Sequence, residues 1–286
     1  MLFALIAYFS FSLLDALQKT AIMYHSVFQL LFVKYCFVLM LSVIESRRKK
    51  NFSFYKSGSI KIQILRGILS IIESGCFVLS FRYLSLADTH SIASLTPVLV
   101  VALSAIILRE HVSAKIWVAI FAGFIGVLII MRPGLSIFDP KSLIPLAGAF
   151  VLSIYQILTR KVSEIDSNET SLFYTSLVGI ILTGIIGYNY WNPIMEVSIL
   201  FFIAIGLFFS IGLYFQIIAL SLARAGIIQP FHYTLIFWAI ILGFLFYNDL
   251  PDFYTITGAI IITISGIYVL INRIELKNKI LLSKKK

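Results

Sequence analysis

RYLSLADTHSIASLTPVLVVALSAIILREHVSAKIWVAIFAGFIGVLIIMRPG, residues Arg82 to Gly134, decides how this chain is built. Two apolar runs, Leu86 to Leu108 and Ile116 to Met131, are parted by the charged knot Arg109-Glu110-His111. An α-helix rises about 1.5 Å per residue and a bilayer core is about 30 Å thick, so about 20 helical residues cross it. Both runs are near that length. The first carries His90, Ser91, Ser94, Thr96, Pro97 and Ser104, and the second carries Ala119, Ala122, Gly123 and Gly126. Polar and small residues inside a span belong on surfaces that face other helices rather than lipid. The same design returns in Ala219 to Arg273, ALSLARAGIIQPFHYTLIFWAIILGFLFYNDLPDFYTITGAIIITISGIYVLINR. There Ser221-Leu222-Ala223 answers Ser85-Leu86-Ala87, Asp249 answers Glu110, and Gly266 answers Gly126.

Composition sets the class. Of 286 residues, 60% are hydrophobic and 13% charged, and the mean hydropathy is +0.99. Soluble domains hold about 45–50% apolar and about 25% charged residues, so the chain is expected to be an all-α polytopic membrane protein. The net charge of +10 raises the question of nucleic acid. The basic residues, however, fill the gaps between apolar runs and the C-terminus, which fits membrane orientation and no nucleic-acid partner. Cys36 and Cys76 lie inside apolar runs without metal-ligand spacing, and read as small buried residues. Met1 to Thr20 lacks a basic leader and carries Asp15 and Lys19 where a cleavage site would fall, so it reads as a first span.

Apolar runs give ten expected spans, at 2–20, 27–45, 62–83, 86–108, 116–131, 143–160, 171–188, 198–222, 227–247 and 254–272. Short connections leave no room for a soluble domain. Lys and Arg distribute unevenly on alternate sides of these spans, 17 against 4, with Lys34 and Arg66 inside spans. The richer side holds Arg47, Arg48, Lys49 and Lys50 and both chain ends, so both termini are expected in the cytoplasm. Five spans followed by a similar five enter the membrane in opposite senses, which predicts inverted repeats at 1–134 and 135–286, with the second ending in a short basic cytoplasmic tail. A binding site near the midplane between the halves accompanies such repeats in many secondary transporters.

Several motifs then carry a resemblance. In the first half they are Arg66-Gly67, the run from Ser85 to Pro97, Arg109-Glu110, Gly123-Phe124-Ile125-Gly126-Val127 and Arg132-Pro133-Gly134. In the second they are Tyr155 to Arg160, His232-Tyr233-Thr234, Trp238-Ala239, Pro251-Asp252 and Gly258-Ala259. In this order they resemble EamA-type carriers of the drug/metabolite transporter superfamily, and most of all the bacterial branch with S-adenosylmethionine and riboflavin importers. The resemblance implies ten helices in two inverted five-helix repeats and transport of small metabolites. The second copy departs from the pattern, with Asp249 where the first keeps Glu110.

Candidate site residues follow from position. Tyr8, Ser12, Asp15 and Lys19 fall on one helical stripe. A charge near the bilayer centre costs about 2.5–3.5 kcal/mol, so the stripe is expected to face the interior; a local Asp15–Lys19 pair near the outer surface is the alternative. Glu73 lies halfway along an apolar helix, too deep to snorkel. It reads as a proton-titrating group or a ligand for a cationic substrate, or else as a partner of Arg66, about 10 Å away along the axis. His90, Ser94, Pro97, Val101 and Ser104 share a face of span 4, where Pro97 frees a backbone carbonyl for a cavity to use; a kinked packing helix with a satisfied His90 is the alternative. The second half supplies Tyr155, Gln156, Tyr214, Gln216, Gln229, Pro230, His232, Tyr233 and Trp238, mostly toward the cytoplasmic side. Aromatic rings there suit a planar ring or a sulfonium or ammonium cation, although Trp238 also fits simple packing and Arg160 an interface anchor. The substrate-binding or coupling set is therefore Tyr8, Ser12, Asp15, Glu73, His90, Ser94, Tyr155, Gln156, Tyr214, Gln216, His232, Tyr233 and Trp238. Gly179, Thr183 and Gly187, and the small residues of span 5, read as helix-packing positions.

No HExxH, Walker A, GxSxG or paired-acid motif is present, so neither catalysis nor a cofactor or metal is expected. The leading reading is a secondary transporter of a small polar or amphipathic metabolite in the bacterial inner membrane, working by alternating access. Its partners are that solute, lipid, and protons or a counter-substrate for the drive, with the chain as monomer or homodimer. The competing classes are a membrane-embedded enzyme and a structural assembly subunit.

Overall fold

The computed structural model describes residues 2–107, 114–132, 139–193, 196–222 and 228–283. The Arg109-Glu110-His111 knot, Pro133-Gly134 and Ala223 lie outside the described residues. Eleven α-helices are described: α1 (Leu2–Ala21), α2 (Val27–Arg48), α3 (Ile60–Tyr83), α4 (Leu86–Ala93), α5 (Thr96–Ile107), α6 (Ala114–Met131), α7 (Leu143–Val162), α8 (Asn168–Gly187), α9 (Glu196–Leu222), α10 (Thr234–Tyr247) and α11 (Phe253–Ser283). Among the described residues, nine helical segments are long and apolar enough to cross a membrane, and a shorter apolar helix covers Phe253–Val269. The protein is a multi-pass membrane protein.

Helix starts and stops follow local chemistry. Ser26, Ser85 and Ser167 accept hydrogen bonds from the amides of Gln29, Asp88 and Thr170, capping α2, α4 and α8. Asn248, in the left-handed region at φ 54°, closes α10. The span expected at 86–108 is broken at Ser94-Leu95 into α4 and α5. Pro97 has no N–H to offer the Ala93 carbonyl, and the Thr96 hydroxyl takes that carbonyl instead at 2.7 Å. The freed carbonyl is thus satisfied within the helix. Pro230 sits in a 3-10 turn, Gln229–Tyr233, after which the Thr234 hydroxyl donates to the Phe231 carbonyl at 2.6 Å.

The surface is inverted relative to a soluble protein. Val118, Phe121, Ile185, Leu200, Phe246 and Ile264 point outward, while Asp15, Lys34, Gln63, Arg66 and Glu169 are buried. Apolar outside and polar inside is the arrangement a lipid solvent selects. Without a hydrophobic drive between helices, close approach does the packing. Gly126 and Gly258 bring α6 and α11 into contact: a Cβ on Gly126 would lie 2.9 Å from the Gly258 carbonyl, and one on Gly258 would lie 2.6 Å from the Gly126 carbonyl. Gly266, which the sequence comparison sets against Gly126, instead lies under the Tyr233 ring. Along α8, Gly179, Gly184 and Gly187 receive Tyr35, Phe32 and Phe28 of α2. Cys36 and Cys76 are half-buried free thiols, less enclosed than their place in apolar runs suggests.

The main pairings are α6 with α11, α2 with α8, α1 with α9, α3 with α7, α2 with α9, α3 with α8, α1 with α10, α4 and α5 with α7, and α4 with α10. Counting α4 and α5 as one unit and numbering the units in chain order, exchange of each unit with the one five places on swaps six of these nine pairings in twos and returns three to themselves, whereas the contacts of α4 and α5 with α11 have no counterpart of similar extent between α6 and α10.

Candidate functional site

Where α1, α2, α3, α4, α7, α9 and α10 meet lies a cavity of about 70 Å³. Its polar lining is Tyr8, Asp15 and Gln18 from α1, Lys34 from α2, Glu73 and Ser74 from α3, His90 from α4, Gln216 from α9, and His232 from the 3-10 turn. Phe11, Phe77 and Phe209 supply ring walls. A larger furrow between α6 and α11, about 560 Å³, is lined by Lys115, Val118, Ala119, Ala122, Ile261, Ile264, Ser265 and Tyr268. It opens outward with few polar groups, so it is a fold of the lipid-facing surface. The smaller cavity holds the convergent chemistry.

Its hydrogen bonds form a chain. The Lys34 ammonium donates to Gln18 Oε1 at 2.8 Å and lies 4.5 Å from the Phe209 ring centroid. Gln18 Nε2 donates to Asp15 Oδ1 at 3.1 Å, and His90 Nε2 is 3.1 Å from Asp15 Oδ2. On α3, Ser74 Oγ donates to Glu73 Oε1 at 3.2 Å. Three buried polar atoms of the lining have no hydrogen-bond partner: Tyr8 Oη, His90 Nδ1 and His232 Nδ1. The Tyr8 and His232 rings meet edge to face at 5.3 Å. Buried polar groups are nearly always satisfied; three of the nine unpartnered ones among the described residues lie on this cavity and six lie elsewhere. The lining offers carboxyl groups and ring faces, and among the described residues nothing in it is placed as a nucleophile–base pair.

Of the thirteen residues expected from sequence, the cavity brings together Tyr8, Asp15, Glu73, His90, Gln216 and His232. Ser12 bonds the Tyr8 carbonyl at 2.9 Å, and Ser94 bonds the Ser91 carbonyl at 2.5 Å, both within their own helix. Tyr155 accepts from Arg66 at 3.3 Å. Gln156 accepts from Gln229 at 2.6 Å. Tyr214 donates to Glu45 at 2.9 Å, Tyr233 packs on Gly266, and Trp238 stacks edge-on against Phe9 at 4.8 Å. None of these seven lines the cavity.

Two local pairings considered from sequence do not form. Lys19 reaches Asp249 at 2.7 Å and the Leu84 carbonyl at 3.3 Å instead of Asp15. Arg66 bonds Gln63, Thr159 and Tyr155, not Glu73. His90 is half satisfied, through Nε2 alone. Arg160 anchors on the Leu220 and Ser221 carbonyls at 3.2 and 2.8 Å. Sequence reasoning missed Lys34, Gln18, Ser74 and the three phenylalanines. Lys34 did carry a signal, since a lysine within a span is rare and points to a buried partner.

The profile of the EamA-like transporter family matches the chain twice over, at residues 1–132 and 142–272. An S-adenosylmethionine uptake transporter of Rickettsia prowazekii (strain Madrid E) is 22% identical over 73% of this chain and 71% of its own. A riboflavin transporter of Vibrio cholerae is 25% identical over 80% of this chain and 75% of its own. The pseudopaline exporter CntI of Pseudomonas aeruginosa is 23% identical over 93% and 94%. One crystal structure superposes with a TM-score of 0.67 at 15% identity, covering 92% of this chain and 94% of that one, a likeness of fold alone.

Proposed function

Since the chain belongs to the EamA-like transporter family, we propose that this membrane transporter is a secondary carrier of a small polar or amphipathic metabolite, working by alternating access. Candidate solutes are S-adenosylmethionine-like or riboflavin-like compounds, an amino acid or an amine. The observation that carries this reading is the polar cavity of about 70 Å³, built from both halves of an apolar-surfaced bundle. Sites for small molecules occupy about 300–1,000 Å³, so a metabolite enters only if the bundle opens. Opening on one side at a time is alternating access.

The architecture proposed is ten spans in two inverted five-helix repeats, 1–134 and 135–286. Support comes from the two family matches and from a helix-pairing scheme that is largely preserved when spans five apart are exchanged. The membrane proposed is the bacterial inner membrane, and the distribution of Lys and Arg, 17 on one side and 4 on the other, supports placing both termini in the cytoplasm. The substrate-contacting set is the cavity lining, Tyr8, Asp15, Glu73, His90, Gln216 and His232, joined by Lys34 and Gln18. Purified protein in liposomes is expected to exchange labelled S-adenosylmethionine, riboflavin or an amine across the bilayer without ATP. A panel of such solutes that equilibrates no faster than in protein-free liposomes would refute the carrier.

A further inference from the structure

The charges around the cavity do not balance. Two carboxylates line it, Asp15 and Glu73, against one ammonium, Lys34. His90 Nε2 faces Asp15 Oδ2, and its Nδ1 is buried without a partner. His232 Nδ1 is likewise buried and unpartnered. Arg66 is engaged by Gln63, Thr159 and Tyr155 and does not line the cavity. The described lining therefore sets two carboxyl groups against one amino group.

The Lys34 ammonium donates to Gln18, which in turn donates to Asp15, at 2.8 and 3.1 Å. Glu73 bonds the hydroxyl of its neighbour Ser74, and no ion pair among the described residues includes it. Lys34 acts electrostatically on both carboxyl groups, on Glu73 ahead of Asp15. One ammonium thus serves two carboxyl groups, beside phenylalanine rings whose faces attract ammonium, sulfonium or guanidinium groups. The unpartnered Tyr8 Oη and His232 Nδ1 add neutral hydrogen-bonding positions for the rest of the solute.

We infer that the central cavity is a site for solutes carrying one positive charge, and that Lys34 sets this number by standing where a second cation would go. The inference rests on the carrier reading for the solute being cargo, but not for its binding. Binding is measured on purified full-length protein in detergent by thermal unfolding. The probes are 2-phenylethylammonium, its neutral isostere 2-phenylethanol, and the dication of 1,4-bis(aminomethyl)benzene. At about ten times its Kd the monocation should raise Tm by on the order of 3 °C, and the alcohol should not. Lys34→Met should reverse the ranking and favour the dication by about tenfold. The double variant Lys34→Met/Glu73→Gln again has one uncompensated carboxylate, and should return to the monocation. It serves the test if Lys34→Met alone does not fold. Equal shifts for amine and alcohol in the wild type, or a dication preference in the double variant, overturn the inference. Monocation binding with no flux in liposomes overturns the carrier reading alone, whereas flux of a neutral solute without monocation binding overturns this inference alone.

Discussion

Tyr8 separates a residue kept for folding from one kept for a ligand. Its hydroxyl is buried with Gln216 as its polar neighbour and is not held in a well-formed hydrogen bond. Leaving a buried hydroxyl unsatisfied costs about 1–3 kcal/mol, so Tyr8→Phe removes a liability of the empty protein. The expected outcome is an unfolding temperature equal to or above wild type, together with a several-fold loss of solute affinity in the same sample. A clear fall in unfolding temperature would show that Tyr8 Oη holds the fold together. At this scale the sequence was partly legible. Glu73 stood out because a carboxyl halfway along an apolar helix has no local explanation. Lys34 carried only the signal of a lysine inside a span, because its partners Gln18 and Asp15 lie on another helix and no spacing rule within α2 points there. The Asp15–Lys19 spacing was misleading for the same reason: Asp15 turns to His90 of α4 and Lys19 to Asp249 beyond α10.

Among the helices, α2 and α8 show how glycine spacing becomes packing. The ring of Tyr35 lies where a side chain on Gly179 would begin, whereas Gly184 leaves 3.2 Å to the ring of Phe32. Overpacking a tight interface costs about 1–3 kcal/mol. Gly179→Ala should therefore lower the unfolding temperature distinctly more than Gly184→Ala, and equal effects would contradict the packing described. Glycine and threonine at this spacing were readable as a packing face because small residues recur on helix contacts in membranes. The partner was not readable, since α2 offers large rings, not small residues. Span limits were legible to within a few residues, as in α1, expected at 2–20 and found at Leu2–Ala21. The break at Ser94-Leu95 was less so: Pro97 announced a kink, but only the bond from Thr96 to the Ala93 carbonyl shows how the freed acceptor is satisfied.

Across the whole molecule, the contacts joining the two halves at the proposed outer end bear directly on alternating access. Lys19 of α1 pairs with Asp249, Tyr247 bonds Thr20 and the Ala16 carbonyl, and Thr255 of α11 donates to Asp88 of α4 at 2.7 Å. Arg132 pairs with Asp252 nearby. Partial burial works against ionisation of Asp252, but the Thr255 amide and hydroxyl and the Arg132 guanidinium outweigh it and hold its carboxyl below the ordinary carboxylate range. In the proposed alternating-access cycle, these are the contacts expected to break when the cavity opens outward. Lys19 and Asp249 are 15% and 36% exposed, so their pair is screened by salt and worth about 0.2–1 kcal/mol, as such partly exposed pairs are. Removing it should shift the balance toward the outward-open state by up to about fivefold, since 1.4 kcal/mol is tenfold. The measurement uses Ser74→Cys in a background without Cys36 and Cys76, with Lys50→Cys and Lys141→Cys first showing which side of the membrane is outside. In that protein Asp249→Asn should speed labelling at position 74 from the outside, and high salt should produce part of the same effect in the unmodified latch. If Asp249→Asn leaves the outside labelling rate unchanged, or raises it from the inside instead, the Lys19–Asp249 pair is not an outer latch and the closure must be sought elsewhere in the bundle.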